Sequence, residues 1–484
     1  MPHGKLRTVA CSIRQCGWLA AMTLLGSLAA CTSMNPEAMT ADAHADAAWV
    51  IIGSGNQAIA RANTQSANCP LIDINGKLTP MTLRAAAGTI PLRPTSSNAA
   101  DSKPSTFSTN TCEALLPPDA THAAIGSRVL PLPKTNPQRI VILGDTGCRM
   151  KKTDNLYQGC SDPVAWPFPT IAAAAARLKP DLVLHVGDYH YRETPCAAGI
   201  DGCKDSPWGY GSDTWDADLL QPGAPLLAAA PWIAVRGNHE ECARAGQGWF
   251  RYLDPNPYER QRSCDDKAND DEANYTEPYA VNLGIDTQLI VFDSAKSGQT
   301  ALPPTDPQYI KYRAQFESVG RFAAKPGVTS IFTSHHPVLG FVLYKGSAPS
   351  GFGAALQSVM NSLYPGRYFP PEVQIAIHGH VHGFQAINFS SAHPATFVAG
   401  NGGDHADPGF PDPFPANTSP AAGVTLESII HTRKYGFMVM DRQGSSWVYQ
   451  AYDRDSVLMA RCSMVTSVAA SGKIHCEKTA ALVP

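Results

Sequence analysis

The chain has 484 residues, which is enough for two domains or for one large domain with insertions. Charged residues make up 16%, the formal net charge is -3, and Lys and Arg form no cluster, so the composition does not indicate a nucleic-acid partner. A hydrophobic content of 44% supports a large buried core, and 39 Gly and 40 Pro predict many long loops.

Residues 1–30 predict a lipoprotein signal peptide. Basic residues precede an apolar run from Trp18 to Ala30, which is short for a membrane span and typical of an export signal. The run ends in Leu28-Ala29-Ala30-Cys31, which resembles the lipobox of bacterial lipoproteins. The resemblance implies cleavage before Cys31, a lipid on its thiol as the membrane anchor, and a place in the cell envelope, with Thr32 favouring the outer membrane. The alternative is an ordinary secretory signal with a chance cysteine.

The cysteine count also favours export. Without Cys11 and Cys16 of the signal and the lipid-bearing Cys31, an even set remains, namely Cys69, Cys112, Cys148, Cys160, Cys196, Cys203, Cys242, Cys264, Cys462 and Cys476. An even set in an exported protein predicts disulfide bonds, although ten cysteines allow roughly 945 pairings. If sequence neighbours pair, each of the middle three bonds closes a loop after one of the motifs described below. The alternative, a thiolate metal site, lacks a Cys-x-x-Cys sequence.

The composition divides the rest of the chain into three parts. Residues 31–47 are small and polar and predict a flexible tether. Residues 48–136 predict a small β-rich domain stapled by Cys69 and Cys112, although its Ser-rich stretch from Pro94 to Thr111 is equally compatible with disorder. The segment from Pro131 to Pro137 is incompatible with a helix and marks the boundary to a second domain, residues 137–484.

Strands and helices alternate in this second domain, which predicts an α/β (α+β) fold. Helices are expected from Thr170 to Leu178, before Lys179-Pro180, and from Pro307 to Phe322. Residues 192–230 and 241–280 are rich in Gly, Pro and Asp and predict long loops beside the site. Further strands are expected at 286–292, 435–440 and 447–452.

Five apolar segments of strand length each end in polar side chains. They are 139–143 before Gly144-Asp145-Thr146-Gly147, 182–186 before Gly187-Asp188-Tyr189-His190-Tyr191, 232–235 before Gly237-Asn238-His239-Glu240, 330–333 before His335-His336-Pro337, and 373–377 before His378-Gly379-His380-Val381-His382. Because α/β folds carry their chemistry at the carboxyl ends of strands, we expect one site built from five loops.

The side chains at these five positions suit metal ions. Carboxylate, phenolate, imidazole and carboxamide groups together favour hard to borderline ions, and a carboxylate can be shared by two ions. Any one of the motifs alone is compatible with a simple turn or a surface histidine. Five in series, each ending a strand, predict a metal site.

The order of the motifs resembles that of the metallophosphoesterase superfamily and, within it, the purple acid phosphatases. The resemblance spans residues 139–404. In calcineurin-like relatives the first motif is Asp-x-His, whose imidazole binds the first metal, whereas Gly147 stands at that position here. Purple acid phosphatases use the tyrosine of the second motif instead, which matches Tyr191.

The resemblance implies a β-sandwich flanked by helices, preceded here by the β-rich segment, and a two-metal site. It implies Asp145, Asp188, Tyr191 and His382 on a first ion, expected to be Fe(III). It implies Asp188, Asn238, His335 and His380 on a second, divalent ion, expected to be Fe, Zn or Mn, with Asp188 shared. His239 would donate a proton or a hydrogen bond to the leaving oxygen. His336 stands where mammalian-type relatives have Tyr, and either faces the substrate or supports its loop. His190 either donates a hydrogen bond to a metal ligand or serves in packing, and packing is favoured.

These features predict an acid phosphatase-type enzyme that hydrolyses phosphate monoesters outside the cytoplasm through a metal-bound hydroxide. Phosphodiester or nucleotide hydrolysis at the same site is the alternative. A lipid-anchored binding protein without catalysis is a third possibility, and it would be expected to have lost one or more of the ligands, all of which are present.

Overall fold

A computed structural model describes residues 44–465 and 472–482, which lie in one compact unit. The predicted signal peptide, Cys31 and most of the predicted tether lie outside the described residues. Within the described residues, no helix has the length and apolar character needed to cross a membrane.

The N-terminal quarter of the described chain is built from short strands. They are β1 (Ala47–Ile52), β2 (Ala58–Thr64), β3 (Leu71–Ile74), β4 (Lys77–Pro80), β5 (Thr82–Ala85), β6 (Gly88–Ile90), β7 (Ser105–Phe107), β8 (Asn110–Leu116), β9 (Ala123–Ile125) and β10 (Arg128–Val129). The Ser-rich stretch is ordered here, since it contains β7 and the start of β8.

Strands and helices then alternate. The first half contains β11 (Arg139–Leu143), β12 (Met150–Lys151), β13 (Leu156–Tyr157), α1 (Phe168–Arg177), β14 (Leu182–His185), α2 (Ser212–Trp215), α3 (Ala224–Ala229), β15 (Trp232–Ala234), α4 (Gly246–Tyr252), α5 (Asp270–Ala273), β16 (Tyr279–Asn282) and β17 (Thr287–Val291). The second half contains α6 (Pro307–Ala323), β18 (Thr329–Thr333), β19 (Phe341–Val342), β20 (Ser350–Gly351), α7 (Ala354–Leu363), β21 (Val373–His378), β22 (Phe384–Phe389), β23 (Ala395–Ala399), β24 (Leu426–Thr432), β25 (Gly436–Gln443), β26 (Ser446–Asp453), β27 (Leu458–Met464) and β28 (Ile474–Lys478).

Two large mixed sheets organise these elements. In the described chain the first sheet has the strand order β28-β27-β26-β25-β11-β14-β15-β1-β2-β8-β5, and the second has the order β16-β17-β18-β21-β23-β22-β24. The central strands β11, β14 and β15 are parallel to one another, as are β17, β18, β21 and β23. The carboxyl ends of parallel neighbours therefore lie at one edge of each sheet.

The core lies between the two sheets and on their outer faces. Alternate residues of β11 show the division: Ile140 and Ile142 pack in the inner core, whereas Val141 and Leu143 pack in a second core that includes residues of α1 and α3. A third core joins the second sheet to α6 and α7. The layers are thus helix, sheet, sheet, helix, which confirms the predicted sandwich flanked by helices.

Four of the ten N-terminal strands continue the first sheet, and the others form the small sheets β10-β9-β3-β4 and β6-β7. β1 is parallel to β15, and β2, β8 and β5 follow it outward. The division into residues 48–136 and 137–484 stays a prediction. The pairing of β1 with β15 crosses the predicted boundary.

Disulfide bonds join all ten cysteines of the described chain. The pairs are Cys69–Cys112, Cys148–Cys160, Cys196–Cys203, Cys242–Cys264 and Cys462–Cys476. Each cysteine pairs with its sequence neighbour, so three bonds close the loops after Asp145, Asp188 and Asn238. Five disulfides favour a location outside the reducing cytoplasm.

Candidate metal centre

The five predicted motifs meet at the carboxyl ends of five strands. Asp145, Asp188 and Asn238 follow β11, β14 and β15 of the first sheet, and His335 and His380 follow β18 and β21 of the second. The sheets thereby deliver three oxygen donors from one side and two imidazoles from the other.

Three of these residues have an unusual backbone conformation. The φ angles of Asp145, Asp188 and His380 are 57°, 57° and 70°, in the left-handed region that side chains other than Gly rarely adopt. Hydrogen bonds hold the strained turns: Asp145 N donates to Gly187 O at 2.9 Å, and Thr146 N donates to Asp188 O at 3.0 Å. Such strain is concentrated at functional sites, because only the surrounding structure can maintain it.

One group of donor atoms surrounds the Tyr191 hydroxyl. Its oxygen lies 3.0 Å from Asp145 Oδ1, 2.8 Å from Asp188 Oδ2 and 3.0 Å from His382 Nε2. We call Asp145, Asp188, Tyr191 and His382 the first cluster. All four side chains are buried, and His382 is the most exposed of them at 8%.

A second group surrounds the Asn238 carboxamide. Asn238 Oδ1 lies 3.0 Å from His335 Nε2 and 2.9 Å from His380 Nδ1, and the two ring nitrogens are 3.2 Å apart. His335 Nε2 is also 3.1 Å from Asp188 Oδ2. We call Asp188, Asn238, His335 and His380 the second cluster. Asn238 and His380 are partly exposed, so this cluster forms the open side of the site.

A single oxygen atom belongs to both clusters. Asp188 Oδ1 accepts a hydrogen bond from His239 N at 2.8 Å, which leaves Oδ2 to contact both Tyr191 and His335. Similarly, Asp145 Oδ2 accepts from His380 N at 2.9 Å, and only Oδ1 faces the first cluster. The backbone therefore selects which carboxylate oxygen points into each cluster.

Backbone carbonyls orient two of the imidazoles. His335 Nδ1 donates to Val186 O at 2.8 Å, and His382 Nδ1 donates to His405 O at 2.9 Å. Each bond leaves the other ring nitrogen, Nε2, facing a cluster, where it can bind a metal ion after loss of its proton. This outer hydrogen bond is the usual companion of a metal-binding histidine.

Two glycines allow the motifs to approach one another. A Cβ at Gly237 would lie 2.1 Å from Asp188 Oδ1, so a side chain there would displace the shared carboxylate. A Cβ at Gly147 would lie 2.8 Å from both Tyr189 O and Tyr191 N. The structure therefore has no space for an imidazole at position 147, and the Tyr191 phenol occupies the corresponding side of the first cluster.

His239 lies beside the clusters and has an acidic partner that sequence reasoning missed. Its Nδ1 is 3.1 Å from Glu193 Oε1, and Arg244 forms an ion pair with the same carboxylate. His239 Nε2 is 3.9 Å from Asp188 Oδ2. Burial and Arg244 lower the pKa of His239 to about 3, while Asp188 and Glu193 act in the opposite direction.

Two further carboxylates that were not predicted hold the loops in place. Glu240 accepts hydrogen bonds from the backbone of Asp188, Tyr189 and Gly237, and burial followed by the charge of Asp188 raises its pKa to about 8. Asp218 lies in a π-helical turn and accepts from Cys148 N and Tyr191 N, at 3.1 and 2.8 Å. Asp218 thus joins the first motif to the second.

The two histidines left open by the sequence have packing roles in the structure. His336 Nδ1 is 3.1 Å from Ser294 Oγ, and its ring stacks on Phe352 with an interplanar angle of 12°. The His190 ring packs against Tyr210 and Trp215, and both its ring nitrogens are buried without a hydrogen-bond partner among the described residues. His336 supports its loop, and His190 fills the wall behind the site.

The donor set fits two metal ions. Ligands that lie about 2.0–2.2 Å from one ion are roughly 3 Å from one another, and the contacts within both clusters are 2.8–3.3 Å. Asp188, His335 and His380 alone already place one donor atom each within 4.8 Å of the others. Burial and the carboxylates of Asp145 and Asp188 raise the pKa of Tyr191 well above its usual value.

Comparison with protein families matches residues 138–384, just over half of the chain, to the calcineurin-like phosphoesterase model. Among solved structures, the chain is similar to PhoD, with 11% identity, a TM-score of 0.50, and coverage of 90% of this chain and 92% of that chain. It is also similar to purple acid phosphatase PPD1 from yellow lupin (Lupinus luteus) seeds, with 15% identity, a TM-score of 0.49, and coverage of 85% and 72%. Curated protein sequences gave no significant match. At this identity the likeness to PhoD concerns the fold.

Proposed function

Because the chain belongs to the calcineurin-like phosphoesterase family, we propose that it hydrolyses phosphate monoesters at a centre of two metal ions. The observation that carries the proposal is the position of Asp188 Oδ2, which contacts both Tyr191 of the first cluster and His335 of the second. An oxygen shared by two groups of donors is what a bridging ligand requires.

Each cluster would hold one ion. Asp145, Asp188, Tyr191 and His382 would bind the first, and Asp188, Asn238, His335 and His380 the second. When bound, such ions polarise water and the phosphoryl group and compensate the charge that develops during hydrolysis. The partly exposed Asn238 and His380 leave the substrate an approach on the side of the second cluster.

The first ion would be Fe(III), as in the purple acid phosphatases that the motifs resemble. The support is Tyr191, since a buried phenol between two carboxylates is deprotonated only by a strongly Lewis-acidic ion. The second ion would be divalent Fe, Zn or Mn, because imidazole and carboxamide donors suit all three.

His239 would deliver a proton to the leaving oxygen. Proton donation requires a proton on both ring nitrogens, which burial and Arg244 oppose by lowering the pKa of His239; the Glu193 carboxylate 3.1 Å from Nδ1 acts in the opposite direction and favours the protonated form. Arg244 in turn forms an ion pair with Glu193, so two buried charged side chains position His239.

Hydrolysis would take place outside the cytoplasm. The support is the set of five disulfides, three of which close the loops that follow Asp145, Asp188 and Asn238. We further propose the lipid anchor at Cys31 on the cell envelope, on the basis of the Leu-Ala-Ala-Cys sequence.

A panel of phosphate esters tests the reaction. The purified protein, analysed for metal content, is assayed with an aryl phosphate monoester and with a bis-aryl diester of the same phenol. We expect two metal ions per chain and faster turnover of the monoester. Preference for the diester would replace the proposal with a phosphodiesterase, and absence of turnover with both ions bound would contradict hydrolysis altogether.

The colour of the protein tests the first ion. A phenolate bound to Fe(III) absorbs visible light by charge transfer, so the iron-loaded protein is expected to be pink to violet and Tyr191→Phe to be nearly colourless. Tyr189→Phe is the matched control, because Tyr189 OH is bonded to backbone carbonyls at 3.3 and 3.1 Å and does not belong to either cluster. A Tyr191→Phe variant that keeps the wild-type band would exclude the phenol as a ligand.

A further inference from the structure

We propose that Arg149 is a positioning residue for the first metal ion: its guanidinium lies over the ring of Tyr191 and, through Asp404, fixes His382 and Asp145 of the first cluster. The inference rests on the proposed function, since it concerns the electron density that the Tyr191 oxygen offers to a bound ion. Arg149 belongs to none of the five motifs.

The guanidinium of Arg149 stacks on the ring of Tyr191. The Cζ atom of Arg149 is 4.6 Å from the centroid of the Tyr191 ring, within the distance of a cation–π contact. Both residues are buried, at 7% and 0% exposure, so water does not screen the charge of the guanidinium from the ring. Arg149 therefore adds a fixed positive charge on the face of the phenol.

Asp404 connects Arg149 to two other residues of the first cluster. Arg149 Nε donates to Asp404 Oδ1 and Oδ2 at 3.1 and 3.0 Å, and Nη2 contacts Oδ2 as well. Asp404 Oδ2 lies 3.3 Å from His382 Nδ1, and Asp404 N donates to Asp145 O at 2.9 Å. One buried ion pair thus touches three of the four residues of the first cluster.

Hydrogen bonds also hold the backbone and the outer end of Arg149 in place. Its backbone N donates to Gln158 Oε1 at 2.8 Å, and its O accepts from Gln158 N at 2.8 Å. Gln158 lies inside the loop that the Cys148–Cys160 disulfide closes. The guanidinium is consequently held from its backbone, from Asp404 and, at Nη1, from Asp154 at 3.0 Å.

The electronic consequence is specific. A cation over the ring stabilises the filled orbitals of a phenolate, so transfer of an electron from the phenolate to a bound Fe(III) requires more energy. Removal of the cation is expected to move the visible band to longer wavelength. A residue that only supported the fold would change stability and metal content without setting the direction of this shift.

The experiment compares iron-loaded variants by their visible absorption maxima and by iron per chain. Arg149→Met in the Asp404→Asn background avoids leaving a buried carboxylate unpaired, and Asp404→Asn alone is its reference. We expect the double variant to keep its iron and to absorb at longer wavelength than Asp404→Asn. Arg149→Lys keeps a cation for Asp404 without the planar stack and is expected to shift in the same direction by less.

Asp154→Asn is the matched control, because Asp154 binds the outer end of the same guanidinium and its side chain is 31% exposed. Its band is expected to stay at the wild-type wavelength. If the double variant does not fold, Arg149→Lys decides: an unshifted band with iron bound would overturn the role of Arg149. A colourless iron-loaded wild type would overturn the proposed iron–tyrosine site, and this inference with it, whereas a coloured wild type with unshifted variants would overturn the inference alone.

Discussion

At the scale of single residues, the division of labour between the two oxygens of Asp188 explains how one carboxylate can serve two clusters. Oδ1 is held by His239 N at 2.8 Å, and Oδ2 remains free to contact both Tyr191 and His335. By contrast, Asn238 contacts only the second cluster. The two residues should therefore differ in the number of ions that depend on them.

We expect Asp188→Asn to lose metal from both positions and Asn238→Ala to lose it mainly from the second. Turnover should fall in both by more than about 10²-fold, the loss that removal of one charge-stabilising donor already causes. Metal analysis and phosphatase assays measure the two effects. Asp455→Asn, whose side chain is 68% exposed, is the control for loss of a carboxylate. Near-normal activity of Asp188→Asn with two ions bound would refute the shared ligand.

A second prediction concerns the pair of His239 and Glu193. His239→Ala should keep its metal and lose about 10²- to 10⁴-fold in turnover of esters with poor leaving groups, the range of general acid catalysis. Glu193→Gln should show a smaller loss of the same kind, and the double variant should lose no more than His239→Ala, because the two residues act as a unit.

Leaving-group dependence and metal content measure this second effect. Glu241→Gln is the matched control, since Glu241 contacts Ser96 and Lys296 at the rim of the same loop. A loss that is equal for good and poor leaving groups would exclude proton donation by His239.

The residues found by sequence were those in short motifs directly after a strand. Asp145, Asp188 and His380 could be identified because Gly and a polar residue interrupt an apolar run. Glu193 and Asp218 could not, because their partners, such as Arg244 for Glu193 and Cys148 N for Asp218, are distant in sequence. A carboxylate that satisfies backbone amides across a loop has no local signature.

At the scale of elements, strands that are buried on both faces were predicted well, and their ends were less certain. The strand at 139–143 has the predicted bounds, whereas the helix expected from Thr170 begins earlier, at Phe168, with Pro169 in its first turn. Proline is compatible with the first turn because its missing N–H has no partner there. The long loops at 192–230 and 241–280 contain α2, α3, α4 and α5, which no periodicity indicated.

The N-terminal strands β2 and β5 hold part of the loop at 241–280 through Arg61 and Arg84. Arg84 on β5 donates to Phe250 O, Asn256 O and Asp254 O at 2.9, 2.9 and 3.1 Å, and it pairs with Glu113. The Arg84 side chain is fully buried. It holds the end of α4 and the segment that follows it, close in sequence to His239 and Arg244.

We expect Arg84→Met to lower the free energy of unfolding by about 1–3 kcal/mol, because it leaves Phe250 O and Asn256 O without this donor, whereas Glu113 keeps Arg61 at 3.1 Å. Denaturant unfolding measures the effect. Arg313→Met is the control: Arg313 pairs with Glu317 on α6 with a side chain 42% exposed, and its loss should cost less than about 1 kcal/mol. Equal effects of the two variants would mean that Arg84 on β5 does not stabilise the loop at 241–280.

At the scale of the whole molecule, the disulfides favour a location outside the reducing cytoplasm. Three of the five close loops of the site, with sequence separations of 12, 7 and 22 residues. The even cysteine number predicted bonding, and the pairing of sequence neighbours was one arrangement among many. The bonds close the loops that follow Asp145, Asp188 and Asn238, and the first two restrict segments that come after strained turns.

Export from the cytoplasm is the step that would form these bonds, and a lipid on Cys31 would keep the exported chain on a membrane. The basic start, the short apolar run and Leu28-Ala29-Ala30-Cys31 predict that the thiol carries a lipid. A single acyl chain binds a membrane only reversibly, so stable attachment requires the several chains of a bacterial lipoprotein.

We therefore expect Cys31→Ser to abolish membrane attachment. The wild type should remain in the membrane fraction after a high-salt wash and dissolve in detergent, while the variant should appear in the soluble fraction. Thr32→Ser, one residue further on, leaves the thiol intact and is the control. Equal retention of wild type and Cys31→Ser after the wash would show that something other than a lipid on Cys31 holds the protein at the membrane. That result would refute the proposed anchor and would leave the proposed metal centre untouched.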